Sequence, residues 1–354
     1  MKIVVASDFH ADLFTDYVKP AELKYGNNDR FKHQMEVLNE VYDIAERNDA
    51  CVVLNGDLYN QRMAISPIVF TNVENIIKNR SEAVTTYINV GNHDQQDNTT
   101  IPANSVNSLS SPHVHVANTV SSYTLEDGSA IILVPYSEDV EWLKKNIKQV
   151  VDSVTETTDN VVEFAHVGVQ GSVQGRWNHR LGGAFSLSDL QEDKVKAVVL
   201  GHYHKRQDLS EKSFYVGNTV PMNHNDDGDT KGVYLVDTIT GEHTYIPIDS
   251  PMFMTLDSKD IQGESDINDV TSQVENNYVK LLVHDKETLA GFKDVATKED
   301  TNVNIALQED ITYNSRLDVD PGASEVEIVK AYTAKYHPDV ADTALEILNK
   351  VVRS

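Results

Sequence analysis

Short apolar runs alternate with longer stretches of mixed polarity through the first 250 residues of the chain. Several of these runs are rich in β-branched residues and end at glycine or polar residues, which predicts strands at 2–6, 51–54, 84–90, 160–165 and 196–200. Apolar residues recur at helical spacing over 31–45 and 67–79, so amphipathic helices are predicted there. Because strands and helices alternate, we expect parallel neighbouring strands joined by right-handed crossovers.

Shorter apolar runs predict further elements on both sides of residue 250. Before it, the pattern predicts a helix at 140–151 and strands at 114–117, 123–125, 130–134, 214–216, 232–237 and 243–248. Beyond it, strands are predicted at 252–256, 278–283 and 302–307, with helical patterns around 267–274 and 287–296. Asp127 and Gly128 indicate a hairpin turn. We therefore divide the chain into a main domain at 1–250, a small α+β module at 251–312 and a helical tail at 313–354.

The tail combines two predicted helices with one unusual string of residues. Ser324 is a suitable N-cap for a helix that reaches residue 334, and a second helix is predicted at 343–351. Their apolar face has little else in the tail to bury it and consists of Val326, Val329, Ala344, Leu345 and Leu348. The string His337, Pro338 and Asp339 resembles part of a J-domain co-chaperone. The basic helix face of such a domain is missing, and we treat this similarity as coincidental.

Charge and cysteine content restrict the classes of function. The chain has 55 acidic and 30 basic residues and a formal net charge of −25, which argues against adhesion to nucleic acid over its whole surface. A phosphate substrate must therefore be met by metal ions, by a local basic patch or by a partner. The single cysteine, Cys51, excludes an intramolecular disulfide framework. We find no signal-peptide pattern and no apolar run long enough to span a membrane, so we expect a cytoplasmic protein without a membrane partner.

Residue types that bind metal ions recur at the carboxyl ends of the predicted strands. Asp8 and His10 follow the first strand two positions apart, a spacing that places both side chains on one face of an extended segment. The full set of candidates is Asp8, His10, Asp57, Asn92, His93, His166, His202 and His204. Asn92 and His93 belong to a polar turn between Gly91 and Asp94. Because active sites of open α/β sheets lie at the carboxyl edge, we expect these side chains to meet there.

The composition of this set matches a centre of two metal ions. Seven ligands and one additional histidine are enough for two ions if one carboxylate bridges them. Carboxylate and imidazole together favour Mn, Fe or Zn over Ca, and we predict two divalent ions, Mn²⁺ first and Mg²⁺ as the alternative. Two such ions activate water at neutral pH and hold a phosphoryl oxygen for in-line attack. The many neutral ligands leave positive charge at the centre, which suits a phosphate group.

As a set, these motifs resemble the calcineurin-like metallophosphoesterase superfamily. The motifs are Asp8 with His10, Gly56 with Asp57, the turn at 91–94, His166, and Gly201 with His202 and His204. Within this superfamily, the chain more closely resembles the SbcD-type nuclease subunit of double-strand-break processing complexes, particularly phage-encoded ones. This closer resemblance rests on the order and spacing of the motifs, on Asn60 and Arg62, and on the runs 215–218 and 231–233. The resemblance implies an α/β (α+β) fold of four layers, in which helices flank a β-sandwich. For a phage-encoded chain, the cytoplasm would be that of the host.

The resemblance also implies a role for each candidate residue. One ion would bind Asp8, His10, Asp57 and His204, and the other Asp57, Asn92, His166 and His202, with Asp57 as the bridge. His93 would be catalytic, because it would protonate the leaving oxygen or steady the phosphate. Many relatives have a second catalytic histidine where this chain has Asn60, and a glycine where it has Ala165.

The resemblance further implies partners and domain roles. The expected activity is metal-dependent cleavage of DNA as an exonuclease or endonuclease, together with an SbcC-type, SMC-like ATPase, in DNA end processing, recombination and repair. The module at 251–312 would cap the nuclease, and the tail at 313–354 would dock on the ATPase. Whether the chain also forms a homodimer is left open.

Two other interpretations of the chain stay open. The first is a phosphatase or cyclic-nucleotide phosphodiesterase on the same scaffold. Protein phosphatases of the superfamily have Asp-Arg-Gly where this chain has Asn60, Gln61 and Arg62, which argues against that subclass. The second is a non-enzymatic assembly or chaperone-adaptor protein with a degenerate site, and the complete ligand set argues against it.

Overall fold

The structure is a computed structural model that describes residues 1–97, 99–174, 179–180, 182–260, 277–285, 303–307, 317, 319–320 and 322–352. The helices in these ranges are α1 (Asp29–Arg47), α2 (Pro67–Ser81), α3 (Val140–Thr155), α4 (Glu325–Tyr336) and α5 (Ala341–Val352). The strands in the first half are β1 (Lys2–Ala6), β2 (Ala50–Asn55), β3 (Thr86–Asn89), β4 (Val114–Ala117), β5 (Ser121–Thr124), β6 (Ala130–Val134), β7 (Val161–His166), β8 (Val173–Gln174) and β9 (His179–Arg180). The later strands are β10 (Ala197–Gly201), β11 (Gln207–Asp208), β12 (Ser213–Tyr215), β13 (Gly232–Asp237), β14 (His243–Pro247), β15 (Phe253–Asp257), β16 (Tyr278–Val283) and β17 (Val303–Leu307).

The first large sheet has the strand order β14-β13-β1-β2-β3-β4. Strands β1 to β4 are parallel, whereas β13 pairs antiparallel with β1 and β14 antiparallel with β13. The predicted crossovers are present, since α1 connects β1 to β2 and α2 connects β2 to β3. This sheet places the ends of β1, β2 and β3 side by side.

The second large sheet has the order β11-β12-β10-β7-β6-β5. Its central strands β6, β7, β10 and β12 are parallel, and β5 and β11 are antiparallel at the two edges. The hairpin between β5 and β6 turns at the predicted Asp127 and Gly128, where Gly128 has a φ of 81°. The ends of β7 and β10 are therefore neighbours, as are those of β1 and β2 in the first sheet.

The two sheets pack face to face between two layers of helix. Ile3 and Val53 of the first sheet contact Phe164 and Val199 of the second in the central core. The outer face of the first sheet is covered by α1 and α2, and that of the second by α3. The predicted four-layer α/β architecture is confirmed.

A third, smaller sheet follows residue 250 and contains three parallel strands in the order β15-β16-β17. Its strands agree with the predicted ones to within one residue, while the helices predicted at 267–274 and 287–296 lie outside the described residues. Phe253 and Tyr278 of this sheet contact Arg30 of α1, whose guanidinium lies 5.2 Å and 5.0 Å from the two ring centroids. The domain limits at 250 and 312 and the capping role stay predictions.

The tail forms a hairpin of α4 and α5, which pack on each other. Ser324 is the N-cap as predicted, since its Oγ accepts from the backbone N–H of Glu327 at 3.3 Å. The apolar face predicted from the sequence is half-buried within the hairpin. A different set of apolar side chains stays exposed, namely Ile328, Tyr332, Tyr336, Val340 and Ile347. Among the described helices of the whole chain, none has the length and apolarity needed to cross a membrane.

Candidate metal centre

The predicted site residues lie together where the carboxyl ends of five strands meet. In the first sheet, β1, β2 and β3 lead into the segments with Asp8, Asp57 and Asn92. In the second sheet, β7 ends at His166 and β10 ends immediately before His202. Each sheet therefore contributes part of the candidate set, as expected for parallel strands that share one edge.

One cluster joins both sheets around His10. Its Nε2 lies 3.1 Å from Nε2 of His204 and 3.5 Å from Oδ2 of Asp57. Oδ1 of Asp8 is 4.0 Å from Nε2 of His204. Asp8, His10 and His204 each offer one ligand atom, and these three atoms lie within 4.8 Å of one another. The three residues could therefore hold one metal ion.

A second cluster surrounds the other side of Asp57. Its Oδ2 lies 3.4 Å from Nε2 of His166, which in turn is 3.3 Å from Oδ1 of Asn92. The same amide oxygen is 3.0 Å from Nδ1 of His202. Since Oδ2 of Asp57 is within 3.5 Å of an imidazole from each cluster, this carboxylate is positioned to bridge two ions.

His93 lies between the two clusters and contacts both. Its ring is edge-on to that of His10, with centroids 4.7 Å apart, and its backbone N–H donates to Oδ1 of Asp57 at 2.7 Å. Its Nδ1 donates to the carbonyl of Asn60 at 2.8 Å, which leaves Nε2 for a substrate. The geometry also groups His93 with His10 and Asp57 as a set that could hold an ion. Its catalytic role therefore stays a prediction.

The backbone at four candidate residues is left-handed, with φ of 50° at Asp8, 48° at His10, 53° at Asp57 and 97° at His202. Strand β1 ends at Ala6, so the expectation that strand alternation aligns Asp8 with His10 is wrong. The two side chains converge because both residues adopt a conformation that costs about 1–3 kcal/mol outside glycine. Strain of this kind clusters at functional sites and is maintained by the structure around it.

Two glycines in front of the ligands make room for the clusters. A Cβ on Gly56, whose φ is 88°, would lie 2.1 Å from Nδ1 of His166. A Cβ on Gly91 would lie 2.2 Å from both the backbone nitrogen and Oδ1 of Asp57. Both positions therefore require glycine if the bridging carboxylate and His166 are to stay where they are.

Burial and mutual charge fix the protonation of the site in its metal-free form. Burial lowers the pKa of His10 and of His202 to about 3, so both imidazoles are neutral ligands. Burial acts to raise the pKa of Asp57, but His166 and His10 hold it below the ordinary range. Burial likewise acts to lower the pKa of His166, but Asp57 raises it to about 9. An ion that binds His166 near neutral pH therefore displaces a proton.

The residues fit a pair of divalent ions. Carboxylate, amide and imidazole atoms lie 3.0–3.5 Å from one another, and few of them are hydrogen-bond donors. Because buried charges need a compensating partner, cations would stabilise this arrangement. Mixed nitrogen and oxygen ligands of this kind suit Mn, Fe or Zn. Asp8, His10, Asp57 and His204 would hold one ion, and Asp57, Asn92, His166 and His202 the other.

Two polar residues support the site: Asp94, which the sequence marked only as part of the polar turn, and Ser7, which it did not mark. Asp94 is buried and accepts from the backbone N–H groups of Gly91 at 3.0 Å and Tyr59 at 3.1 Å, so it holds the turn. Ser7 donates its hydroxyl to Oδ2 of Asp8 at 2.5 Å. The contact of Asp94 with Tyr59 depends on the pairing of distant segments and could not be predicted from the sequence.

Asn55 and Asn89 were also missed, although a signal was present. Both are fully buried at the ends of strands whose other residues are largely apolar. The two asparagines face each other in register on β2 and β3. An amide that replaces an apolar residue at a buried strand end indicates a hydrogen-bonding role.

Comparison of the sequence with known families assigns the chain to one family. The profile described as "Calcineurin-like phosphoesterase" matches residues 1–206, which is more than half of the chain and includes every candidate ligand. The chain belongs to the calcineurin-like phosphoesterase family. As a calcineurin-like phosphoesterase, it is a metal-dependent hydrolase of phosphoesters, and its clusters of Asp and His are the groups that could hold the metal. A comparison of the chain with curated proteins gives no match.

Proposed function

We propose that this calcineurin-like phosphoesterase is the nuclease subunit of a DNA end-processing complex. The observation that carries the proposal is a cavity of about 110 Å³ directly beside His204. The charged residues that line it are Arg206, Lys231 and Asp229, and Nζ of Lys231 lies 3.8 Å from the Asp229 carboxylate. A substrate with several phosphates needs a second cationic contact next to the metal centre, whereas a simple phosphomonoester does not.

Arg206 is the main cation of this cavity. Nζ of Lys231 donates to Oδ1 of Asn218 at 2.6 Å and pairs with Asp226 at 3.1 Å, so its charge is balanced locally. Arg206 is exposed and forms no ion pair with any described residue, while its guanidinium lies 4.0 Å over the ring of Tyr245. A planar guanidinium held by stacking presents its donors to a phosphate in a fixed orientation.

The chain's own residues then divide the work of hydrolysis. Bound divalent ions would supply an activated water and hold a phosphoryl oxygen. His93, whose Nδ1–H donates to the carbonyl of Asn60, would act in its doubly protonated form, give the Nε2 proton to the leaving oxygen and become neutral. Arg206 binds the next phosphate of the strand and so aligns the scissile bond. Because the net charge is −25, DNA binding by the subunit alone is expected to be weak.

The tail supports the second half of the proposal, an SbcC-type, SMC-like ATPase partner. Its exposed apolar side chains include Ile328, Tyr332 and Ile347, which lie on a hairpin of two helices of 12 residues each. Isolated helices of this length are marginal in water, so this surface is stabilised by a further partner. A helical face laid along a coiled coil is a common solution.

The decisive experiment compares substrates under Mn²⁺ and, in parallel, Mg²⁺. We expect cleavage of end-labelled single-stranded and duplex DNA, and stimulation of duplex cleavage by the ATPase with ATP. Arg206→Met should reduce cleavage of DNA far more than hydrolysis of a chromogenic diester. The matched control is Arg47→Met, on α1, whose guanidinium pairs with Glu40 away from the site. Hydrolysis of phosphomonoesters or cyclic nucleotides without DNA cleavage would instead support the phosphatase or phosphodiesterase alternative.

A further inference from the structure

A second cavity lies against the metal centre on the side of His202, whereas the cationic cavity lies beside His204. Its volume is about 150 Å³, and it is open to solvent on one side. Its walls include Tyr136, Val167, Phe185 and His202. Among the described residues that line it there is no lysine or arginine, so its described lining differs from that of the cavity at Arg206.

Small residues form part of the lining of this pocket. Gly168, Gly182, Gly183 and Ala184 all line it. A Cβ built on Gly182 would meet no heavy atom within 4 Å, so the space in front of this residue is free. Ser137 and Glu138 also line the pocket, so aromatic and small residues are combined with polar ones. The face of an aromatic ring in such a pocket can stack with a planar group.

Tyr136 forms the aromatic wall and is fixed relative to the metal ligands. Its ring lies 5.5 Å from that of His202 at an angle of 32°, and its hydroxyl donates to Glu138 at 2.7 Å. Its backbone N–H donates to Val90 at 2.8 Å, and its carbonyl accepts from Gln95 at 2.7 Å. The two backbone contacts flank the turn that carries Asn92 and His93, so the backbone of Tyr136 is held beside the centre.

We propose that this pocket receives one unpaired nucleobase next to the scissile phosphate, stacked on the ring of Tyr136. The proposal rests on the nuclease function proposed above and adds the class of substrate. A base in an intact duplex is paired and stacked, and it cannot enter a pocket beside the metal ligands. The enzyme therefore acts on single-stranded or frayed ends. Aromatic stacking of this kind accepts any base, because each has a π-face.

The first test follows binding and does not depend on turnover. The probe is a single-stranded oligonucleotide with a terminal 2-aminopurine, mixed in Mg²⁺ with the full chain carrying His93→Ala. We expect its fluorescence to be quenched by stacking, and we expect Tyr136→Phe in the same background to preserve the quenching. Tyr136→Leu should abolish it. Tyr123→Leu is the matched control, since this half-buried tyrosine lies on β5 among other rings.

The second test follows cleavage of oligonucleotides with and without an abasic site next to the scissile phosphate. Stacking of one base is worth about 5- to 150-fold, so kcat/KM of the unmodified chain should fall by that factor on the abasic substrate. Tyr136→Leu and Gly182→Leu should lose this discrimination. Gly182→Leu fills the pocket from a position with free space, so it tests the proposal even if Tyr136→Leu folds poorly.

The outcomes separate the two proposals. Equal cleavage of normal and abasic DNA by the unmodified chain would overturn the base pocket while leaving the nuclease function intact. Hydrolysis of bis(p-nitrophenyl) phosphate without cleavage of any DNA would overturn the nuclease function. In that case only the fluorescence experiment tests whether the pocket binds a base. A probe whose fluorescence is not quenched would overturn the base pocket as well.

Discussion

Nδ2 of Asn89 donates a hydrogen bond to Oδ1 of Asn55 at 3.1 Å, and this pair connects the two sheets at the level of the metal centre. Nδ2 of Asn55 donates to the carbonyls of Ala165 and Val199 on the opposite sheet, at 3.3 Å and 3.2 Å. The backbone carbonyl of Asn55 accepts from Nδ1 of His166 at 2.8 Å. The pair therefore sets the separation of the sheets and the orientation of one ligand.

Asn89→Leu should weaken both the fold and the metal centre. Leaving the buried acceptors without a donor costs about 1–3 kcal/mol of the free energy of unfolding. Mn²⁺ affinity should fall as well, because Asn55 loses the contact that fixes it beside His166. Urea unfolding with EDTA and calorimetric Mn²⁺ titration measure the two effects, with Asn39→Leu on α1 as the control. Unchanged affinity in a destabilised variant would restrict the pair to a structural role.

Gly91→Ala should disable the centre without unfolding the chain. The added Cβ would lie 2.2 Å from two atoms of Asp57, so the bridging carboxylate must shift. A misplacement of about 1 Å at a reacting centre is enough for a 100-fold loss of turnover. Gly322→Ala, where a Cβ meets no heavy atom within 4 Å, is the matched control. Normal Mn²⁺ affinity together with normal turnover in Gly91→Ala would contradict the arrangement around Asp57.

His93→Ala should separate catalysis from metal binding. General acid assistance contributes about 10²–10⁴-fold, so turnover should fall by that factor while both ions stay bound. Asp57→Ala should instead lose the ions, because its carboxylate faces both clusters. Metal content by mass spectrometry and kcat are the measurements, with the exposed His113→Ala as the control. Loss of one ion from His93→Ala would make this residue a ligand.

Glu163 should make stability depend on pH. It is fully buried on β7, between Ile132 and Val198 of the neighbouring strands. Neither of its carboxyl oxygens has a hydrogen-bond partner among the described residues. Burial raises its pKa well above 4.5. The folded chain keeps the proton that the unfolded chain releases near pH 4.3, so this residue's contribution to stability is lost as pH rises from there toward the folded-state pKa.

Glu163→Met and Glu163→Gln should therefore unfold at higher urea than the unmodified chain, and the difference should grow from pH 5.5 to 8. The difference in the free energy of unfolding can increase by at most about 1.4 kcal/mol per pH unit. Glu141→Met, at an exposed position of α3, should show no such trend. A pH-independent difference for Glu163→Gln would show that the carboxyl is ionised in the fold.

A chain that ends at Gly322 should keep the chemistry and lose the partner. We expect Mn²⁺-dependent cleavage of a small or single-stranded substrate to persist, because every candidate ligand precedes residue 206. Co-purification with the ATPase and ATP-stimulated duplex cleavage should disappear. Tyr332→Ser with Ile347→Ser tests the exposed face alone, with Glu346→Ser as the control. If the shortened chain assembles fully, docking is elsewhere, and His337, Pro338 and Asp339 should be tested for chaperone binding.

Much of the fold was predictable because its signals are local. Strand ends were marked by Asp8, Asp57 and His166, and helices by apolar spacing, so the elements and the candidate ligands followed from short windows. The division of strands between two sheets was not predictable, since it depends on pairing between distant segments such as β1 and β13. Long-range contacts also produce the left-handed backbone at His10 and the aromatic pocket at Tyr136.

The division of the ligands between the two sheets has a consequence for how the protein is made. All ligands of the first sheet precede residue 95, and all those of the second follow residue 160. The first sheet is itself completed only when β13 pairs with β1. When only the first half of the chain has been synthesised, the ligands of the second sheet are missing, and the complete metal centre cannot form. Both groups of ligands are present only after the ribosome has synthesised His204, and the first sheet can be completed only after it has synthesised β13.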